Sequence, residues 1–160
     1  MIIKDKVCIV YDIESLKNVF TCTIYNTESK LSRTFEISPR RCDAKEMCKF
    51  FLDGYMFVGY NNQHYDDPII NYCIDYFSNC EDLKYSHIIT ESIKKMSDTI
   101  IKTDDRDSWK KWKYAHYFES IDLLTMLYSQ ALRVSLKEMQ MTMEYDNVQE
   151  FITDWNSDLP

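Results

Sequence analysis

The stretch Val-Cys-Ile-Val-Tyr-Asp, residues 7–12, is a nearly continuous apolar run that ends in an acid. Such a run is typical of a central strand with a polar residue at its C-terminal tip. Glu14 follows Asp12 at a distance of two residues. Side chains two apart on a strand point to the same face, so both carboxylates can reach one cation. Alone this pair is weak evidence, because such pairs also occur on solvated strand ends.

The rest of the chain predicts an α/β fold. Residues 18–26 and 31–38 are rich in β-formers around a turn at 27–30, which predicts a three-stranded antiparallel meander. The further predicted elements are a helix over 44–52 capped by Asp43, a strand over 55–59, a helix from Pro68, a helix near 82–97, a strand over 118–121, and short helices after Asp122 and from Ser135. Residues 98–117 are interpreted as an inserted loop or hairpin. This order favours a mixed five-stranded sheet with flanking helices.

Composition limits the class of protein. The 160 residues fit one domain, with 45% hydrophobic and 28% charged residues. A formal net charge of −7 excludes a protein that grips nucleic acid by bulk charge, so any such contact must be local. The six cysteines form no Cys-x-x-Cys pair and are interpreted as reduced core residues of an intracellular protein, which makes a zinc site improbable. No signal peptide or membrane span is predicted.

A second polar cluster follows the strand predicted over 55–59. Asn61, Tyr65 and Asp66 lie between that strand and the helix expected from Pro68. A carboxylate at a strand-to-helix junction of an α/β sheet lies on the edge where such folds place their sites. The alternative is a helix cap, which suits Asp67 beside the proline and leaves Asp66 free to bind a metal.

These segments resemble a known family. Residues 10–14, Val-Tyr-Asp-Ile-Glu, resemble the first motif of the DEDD exonucleases. Residues 60–68, Tyr-Asn-Asn-Gln-His-Tyr-Asp-Asp-Pro, are similar to their second motif in the form found in family-B DNA polymerases. Residues 120–124 with 135–138 resemble the later strand and helix of those domains, and the similarity is greatest to phage polymerases.

The resemblance implies a ribonuclease-H-like fold and removal of 3′-terminal nucleotides with two ions, Mg²⁺ or Mn²⁺. On the matching positions, Asp12 bridges both metals, Glu14 holds the metal that activates water and Asp66 supports the second. The substrate-binding residues implied near the terminal nucleotide are Ser15, Leu16, Asn61 and Tyr65. Asp122 ends a strand and is left out of the metal set, because its expected role is structural, as a helix cap.

The third motif of the family, a Tyr or His followed by an Asp on a late helix, is not found. Glu144-Tyr145-Asp146 has the wrong spacing, and Asp154 and Asp158 lack an aromatic partner. The general base and the tyrosine or histidine subclass therefore stay unassigned. We expect a single exonuclease-like domain over 1–160 that is incomplete at its C-terminus, and inactive or weakly active as it stands.

A basic and aromatic segment supplies a candidate contact for single-stranded DNA. Trp109, Lys110, Lys111 and Trp112 interleave cations with rings on which bases can stack. The equally weighted alternative is an amphipathic hairpin whose tryptophans pack on the body of the protein.

Three functions follow as hypotheses. The first is a proofreading 3′–5′ exonuclease domain, with the 3′ end of single-stranded DNA and a polymerase domain as partners, in the cytoplasm of a bacterial or phage-infected cell. The second is a catalytically silent module that keeps the fold and binds nucleic acid or protein. The third is a stand-alone nuclease completed by oligomerisation.

Overall fold

The computed structural model of this chain describes residues 1–102, 112, 116–127 and 134–145. Within these ranges the strands are β1 (Ile2–Ile3), β2 (Lys6–Ser15), β3 (Phe20–Asn26), β4 (Ser32–Ser38), β5 (Arg41–Cys42), β6 (Met56–Gly59) and β7 (Glu119–Asp122). The helices are α1 (Ala44–Phe51), α2 (Asp66–Phe77), α3 (Ser86–Lys102), α4 (Leu123–Leu127) and α5 (Leu136–Thr142), with 3₁₀ turns at Asn62–His64 and Leu83–Tyr85.

All the described strands belong to one mixed sheet with β2 at its centre. The strand order is β5-β4-β3-β2-β6-β7, and β1 also pairs with β2. β2, β3 and β4 form the antiparallel meander that the sequence predicts, whereas β6 and β7 run parallel to β2. The mixed α/β class is thus confirmed. The five predicted strands are present, and the two-residue strands β1 and β5 extend them to seven.

The main core lies between the sheet and the first three helices. Alternate residues of β2 (Ile9, Tyr11 and Ile13) face it and are buried. At its centre the rings of Phe51 on α1 and Phe57 on β6 stack with centroids 4.2 Å apart. Full burial of one such side chain contributes about 1.5–3 kcal/mol to folding. These contacts hold α1 against β6 at the centre of the main core.

The opposite face of the sheet carries a smaller apolar cluster. Cys8, Met56 and Val58 are buried there, and Leu123 of α4 packs against them. Four of the six cysteines, Cys8, Cys22, Cys48 and Cys73, are buried in the two clusters, and all six are free. Their interpretation as core residues is therefore confirmed for these four.

Several predicted boundaries and caps differ from the structure. Asp43 precedes α1 but does not cap it; its carboxylate instead accepts the Glu36 N–H of β4 at 2.9 Å and pairs with Arg41. α3 starts and ends later than predicted and extends to Lys102, so the first part of the segment predicted as a loop over 98–117 is helical. Ser135 and Glu138 do form a capping box at α5, as the sequence indicates.

In the described ranges, no helix combines the length and the apolar character that crossing a bilayer demands.

Candidate carboxylate site

Asp12 and Glu14 lie on the face of β2 that points away from the main core. Their neighbours Tyr11, Ile13 and Ser15 are buried on the other face, while Asp12 is exposed and Glu14 is half-buried. The predicted placement of both carboxylates on one face is thus confirmed. It follows from the two-residue period of a strand, because the intervening apolar residues must face the core.

Asp66 joins them from the start of α2. β2 pairs with β6 through Val10, but it continues to Ser15 while β6 ends at Gly59. The Ile13 N–H, beyond that pairing, donates to Asp66 Oδ1 at 3.3 Å. Asp66 therefore accepts a backbone N–H that β6 is too short to pair with. This bond brings the Asp66 carboxylate to the part of β2 that bears Asp12 and Glu14.

Asp12 interacts electrostatically with both of the other acids. Burial and, next, the charge of Asp12 raise the pKa of Glu14 to about 7. Burial, then the charges of Asp12 and Asp67, raise the pKa of Asp66 well above its ordinary value. Loss of solvation also raises the pKa of Asp12, and a hydrogen bond from the Ile13 backbone offsets part of this rise. A cluster of acids that repel one another is stabilised by a cation between them.

The donor set suits Mg²⁺ or Mn²⁺ in chemistry, since all three groups offer carboxylate oxygens. Among the described residues, however, no group of three or more His, Cys, Asp or Glu side chains is already arranged to hold a metal ion. Asp12 and Glu14 are at least partly accessible to solvent, as an ion that enters from solution requires.

Asp67 lies beside Asp66 and is occupied by protein donors. It accepts hydrogen bonds from the Tyr11 hydroxyl, from Asn62 Nδ2 at 3.0 Å and from Ser120 Oγ at 2.5 Å. Burial and the charges of Asp67 and Asp66 raise the pKa of Tyr11 well above its usual range, so its hydroxyl stays protonated and can donate. Neither acid is the helix cap expected from the sequence: Tyr65 occupies the cap position, and both acids lie in the first turn.

Asp122 fixes the turn that precedes α2. Its carboxylate accepts the N–H groups of Asn61 at 2.8 Å and Gln63 at 3.3 Å, and that of Leu124 at 2.9 Å. The last bond caps α4, as the sequence indicates. Asn61 itself has a left-handed backbone with φ 59°. Asp122 is therefore a structural acid that connects the end of β7 with the turn at 61–63.

The predicted substrate residues are placed in different ways. Ser15 is buried with no partner for its hydroxyl among the described residues, and Leu16 is buried beside it. The Tyr65 hydroxyl bonds Ser97 Oγ of α3 at 2.7 Å. Burial, as the first cause, raises the pKa of Tyr65 to about 12, and Glu14 and Asp66 contribute through their charges. Tyr65 and Ser15 thus stay candidates for substrate contact.

Trp112 packs in the core. Trp112 is 7% exposed to solvent, and the centroid of its ring lies 5.0 Å from that of the Tyr72 ring. Its Nε1–H donates a hydrogen bond to Asp75 Oδ2 at 2.6 Å. This placement favours the packing alternative over base stacking, because the ring already has protein neighbours. Trp109, Lys110 and Lys111 lie outside the described residues, so their DNA contact stays a prediction.

Sequence reasoning missed the partners of Asp67. Tyr11 and Ser120 resemble ordinary strand residues, and Asn62 is one of two adjacent asparagines. The available signal was a hydroxyl at a core-facing position on each of two strands, since a buried hydroxyl needs a polar partner.

No protein-family model matches the chain, and neither curated proteins nor solved structures include a significant match.

Proposed function

We propose that this chain is a 3′–5′ exonuclease domain of the proofreading kind, with a ribonuclease-H-like arrangement of its mixed sheet. The observation that carries the proposal is the bond from the Ile13 N–H to Asp66, which brings the acid of the second sequence motif to the strand that bears Asp12 and Glu14. The two bonded residues, one in each motif, lie 53 positions apart in the chain. Their meeting at one strand end is what a shared cation site requires.

Asp12, Glu14 and Asp66 are the residues that would hold Mg²⁺ or Mn²⁺. The ions would stabilise the attacking and leaving oxygens of phosphodiester hydrolysis. The raised pKa values of Glu14 and Asp66 support this role. A carboxylate that is costly to ionise without a counter-charge is stabilised strongly when a cation lies beside it. Ser15 and Tyr65 are candidates to contact the terminal nucleotide, and a polymerase domain is the proposed partner.

A silent binding module is the second candidate. Two observations favour this module. Among the described residues, no three His, Cys, Asp or Glu side chains are arranged to hold a metal ion, and the sequence has no recognisable third motif. Such a module would keep the fold and the exposed acids without hydrolysis. It differs from the first candidate in binding a single strand equally well with and without a divalent ion.

The test measures Mn²⁺ binding and hydrolysis with the whole chain. Mn²⁺ binding is followed by electron paramagnetic resonance, and hydrolysis by shortening of a 5′-labelled single strand. We expect Mn²⁺ to bind and the strand to shorten stepwise from its 3′ end, slowly because the third motif is not found. Asp12→Ala should remove both signals, because it deletes the carboxylate proposed to bridge the ions.

A 3′-phosphate on the same strand is the substrate control and should block shortening. Glu28→Gln, in the exposed turn between β3 and β4, is the protein control and should change neither signal. If Mn²⁺ binds neither wild type nor the control, or binds Asp12→Ala equally well, the exonuclease proposal is wrong.

A further inference from the structure

Asp67 is a buried acid whose hydrogen-bonding partners are neutral side chains. It is 1% exposed, and its donors are the Tyr11 hydroxyl, the Asn62 amide and the Ser120 hydroxyl. A buried carboxylate is costly unless donors satisfy it, and loss of a donor leaves a charged acceptor unpaired. The bond with Tyr11 spans 56 residues and the bond with Ser120 spans 53, so local chain geometry does not explain this acid.

The three donors belong to three separate parts of the fold. Tyr11 is on β2, Asn62 is in the 3₁₀ turn after β6, and Ser120 is on β7. Asp67 itself is in the first turn of α2. Its carboxylate therefore attaches the beginning of this helix to two strands and one turn, on the core side of the sheet.

Asp66 and Asp67 direct their carboxylates to different neighbours. Successive residues of a helix differ by about 100° around its axis, so adjacent acids cannot share one direction. Asp67 reaches Tyr11 inside the core, while Asp66 reaches the Ile13 backbone at 3.3 Å on the strand that bears the other acids. A rotation or shift of the start of α2 would move both carboxylates together.

We propose that Asp67 is the positioning residue of the carboxylate site: its three hydrogen bonds hold the first turn of α2 so that Asp66 stays beside Asp12 and Glu14. This inference rests on the proposed function, because it assigns the arrangement to cation binding. Asp67 does not touch the cation or the substrate. It acts through the placement of Asp66, as outer-shell partners act on metal ligands in general.

Asp67→Asn tests this role, because the amide keeps the shape of the side chain but turns one acceptor into a donor among three donors. We expect a folded protein whose Mn²⁺ dissociation constant rises by about 10–100-fold, the usual effect of losing an outer-shell partner. The measurement is a Mn²⁺ titration followed by electron paramagnetic resonance, with circular dichroism as the check on folding.

Asp75→Asn is the matched control. Asp75 is on the same helix and also accepts two side-chain hydrogen bonds, from Trp112 and Tyr117. Its substitution should lower the thermal midpoint but leave the Mn²⁺ dissociation constant unchanged. An equal loss of Mn²⁺ affinity in both variants would show that general destabilisation of α2 is the cause, and the positioning role would be rejected.

Two further variants decide the matter if Asp67→Asn does not fold. Tyr11→Phe and Ser120→Ala each remove one donor and keep the carboxylate of Asp67. The positioning role predicts weaker Mn²⁺ binding in each, and still weaker binding in the double variant. Unchanged affinity in the folded double variant overturns the role.

Asp12→Ala separates the two proposals. If Mn²⁺ binds weakly to Asp12→Ala but with full affinity to Asp67→Asn and to the Tyr11→Phe, Ser120→Ala double variant, the positioning role alone is rejected. Equal affinity of wild type and Asp12→Ala rejects the cation site itself, and the positioning role with it.

Discussion

Glu14 has a carboxyl pKa of about 7 in the folded chain, against an ordinary value of 4.5. The causes are burial and the nearby charge of Asp12. Since the folded state holds this proton more tightly than the unfolded state does, stability falls as the pH rises from 4.5 to 7 and stays reduced above that range. Asp66, whose pKa is also raised, contributes in the same direction.

We therefore expect Glu14→Gln to increase the free energy of unfolding above pH 7 and to leave it unchanged below pH 4.5. The measurement is urea unfolding at both ends of this range, with Glu28→Gln as the exposed control. An equal gain at both ends would show that a change in packing, and not the loss of a charge, is responsible.

At the scale of elements, the start of α2 shows where sequence reasoning succeeded and failed. The strand–turn–helix order was predictable, because the apolar run over 55–59 ends in a glycine and Pro68 suits a first turn. The capping role given to Asp67 was wrong. Its actual donors, Tyr11 and Ser120, are distant in sequence, so the periodicity around residue 67 carries no trace of them.

The same contrast holds for β2. Its alternation placed Asp12 and Glu14 on one face correctly, because the period of a strand is a local property. The approach of Asp66 depended on the different lengths of β2 and β6, which only the sheet register reveals. The strand-to-helix junction and the resemblance to the exonuclease motifs both supplied Asp66 as a candidate; its bond with the Ile13 N–H is a property of the fold.

Gly59 is the residue that lets β6 turn toward α2. A Cβ at this position would lie 2.8 Å from Asn62 Cβ and 2.9 Å from its Cγ. Because Asn62 is buried and bonded to Asp67, it has little room to move. We expect Gly59→Ala to reduce the free energy of unfolding by about 1–3 kcal/mol, the usual effect of overpacking.

The measurement is urea unfolding, and Gly54→Asn is the control. Gly54 has φ +82° with open space around its Cβ position, and asparagine tolerates that backbone conformation, so the expected loss there is less than about 1 kcal/mol. Losses of similar size at both sites would show that glycine's backbone freedom, and not the contact with Asn62, matters at position 59.

The charge of the whole molecule limits how the proposed nucleic-acid substrate can bind. The net charge of −7 opposes general attraction to phosphates. Under the proposed function, binding to a single strand therefore rests on a few contacts and on the divalent ion. On a single strand, log K for binding changes with log salt concentration with a slope of about −0.7 for each phosphate neutralised. With only a few such contacts, we expect a slope shallower than about −2 in the presence of Mn²⁺.

The measurement is fluorescence anisotropy with a labelled single strand that carries nuclease-resistant phosphorothioate linkages. Omission of Mn²⁺ should weaken binding, whereas the silent module predicts no such dependence. A slope steeper than about −4 would instead indicate a basic surface that tracks the backbone, for which Lys110 and Lys111 are the candidates.

The two faces of β2 separate the main core from the candidate site. One set of alternate residues is buried among the aromatic rings of the core, so a change there risks the whole domain. The other set includes Asp12 and Glu14, which are not part of either hydrophobic cluster. We therefore expect substitutions at 12 or 14 to leave the domain folded, so that, under the proposed function, a lineage that carries this fold can lose hydrolysis by one change and keep the folded domain.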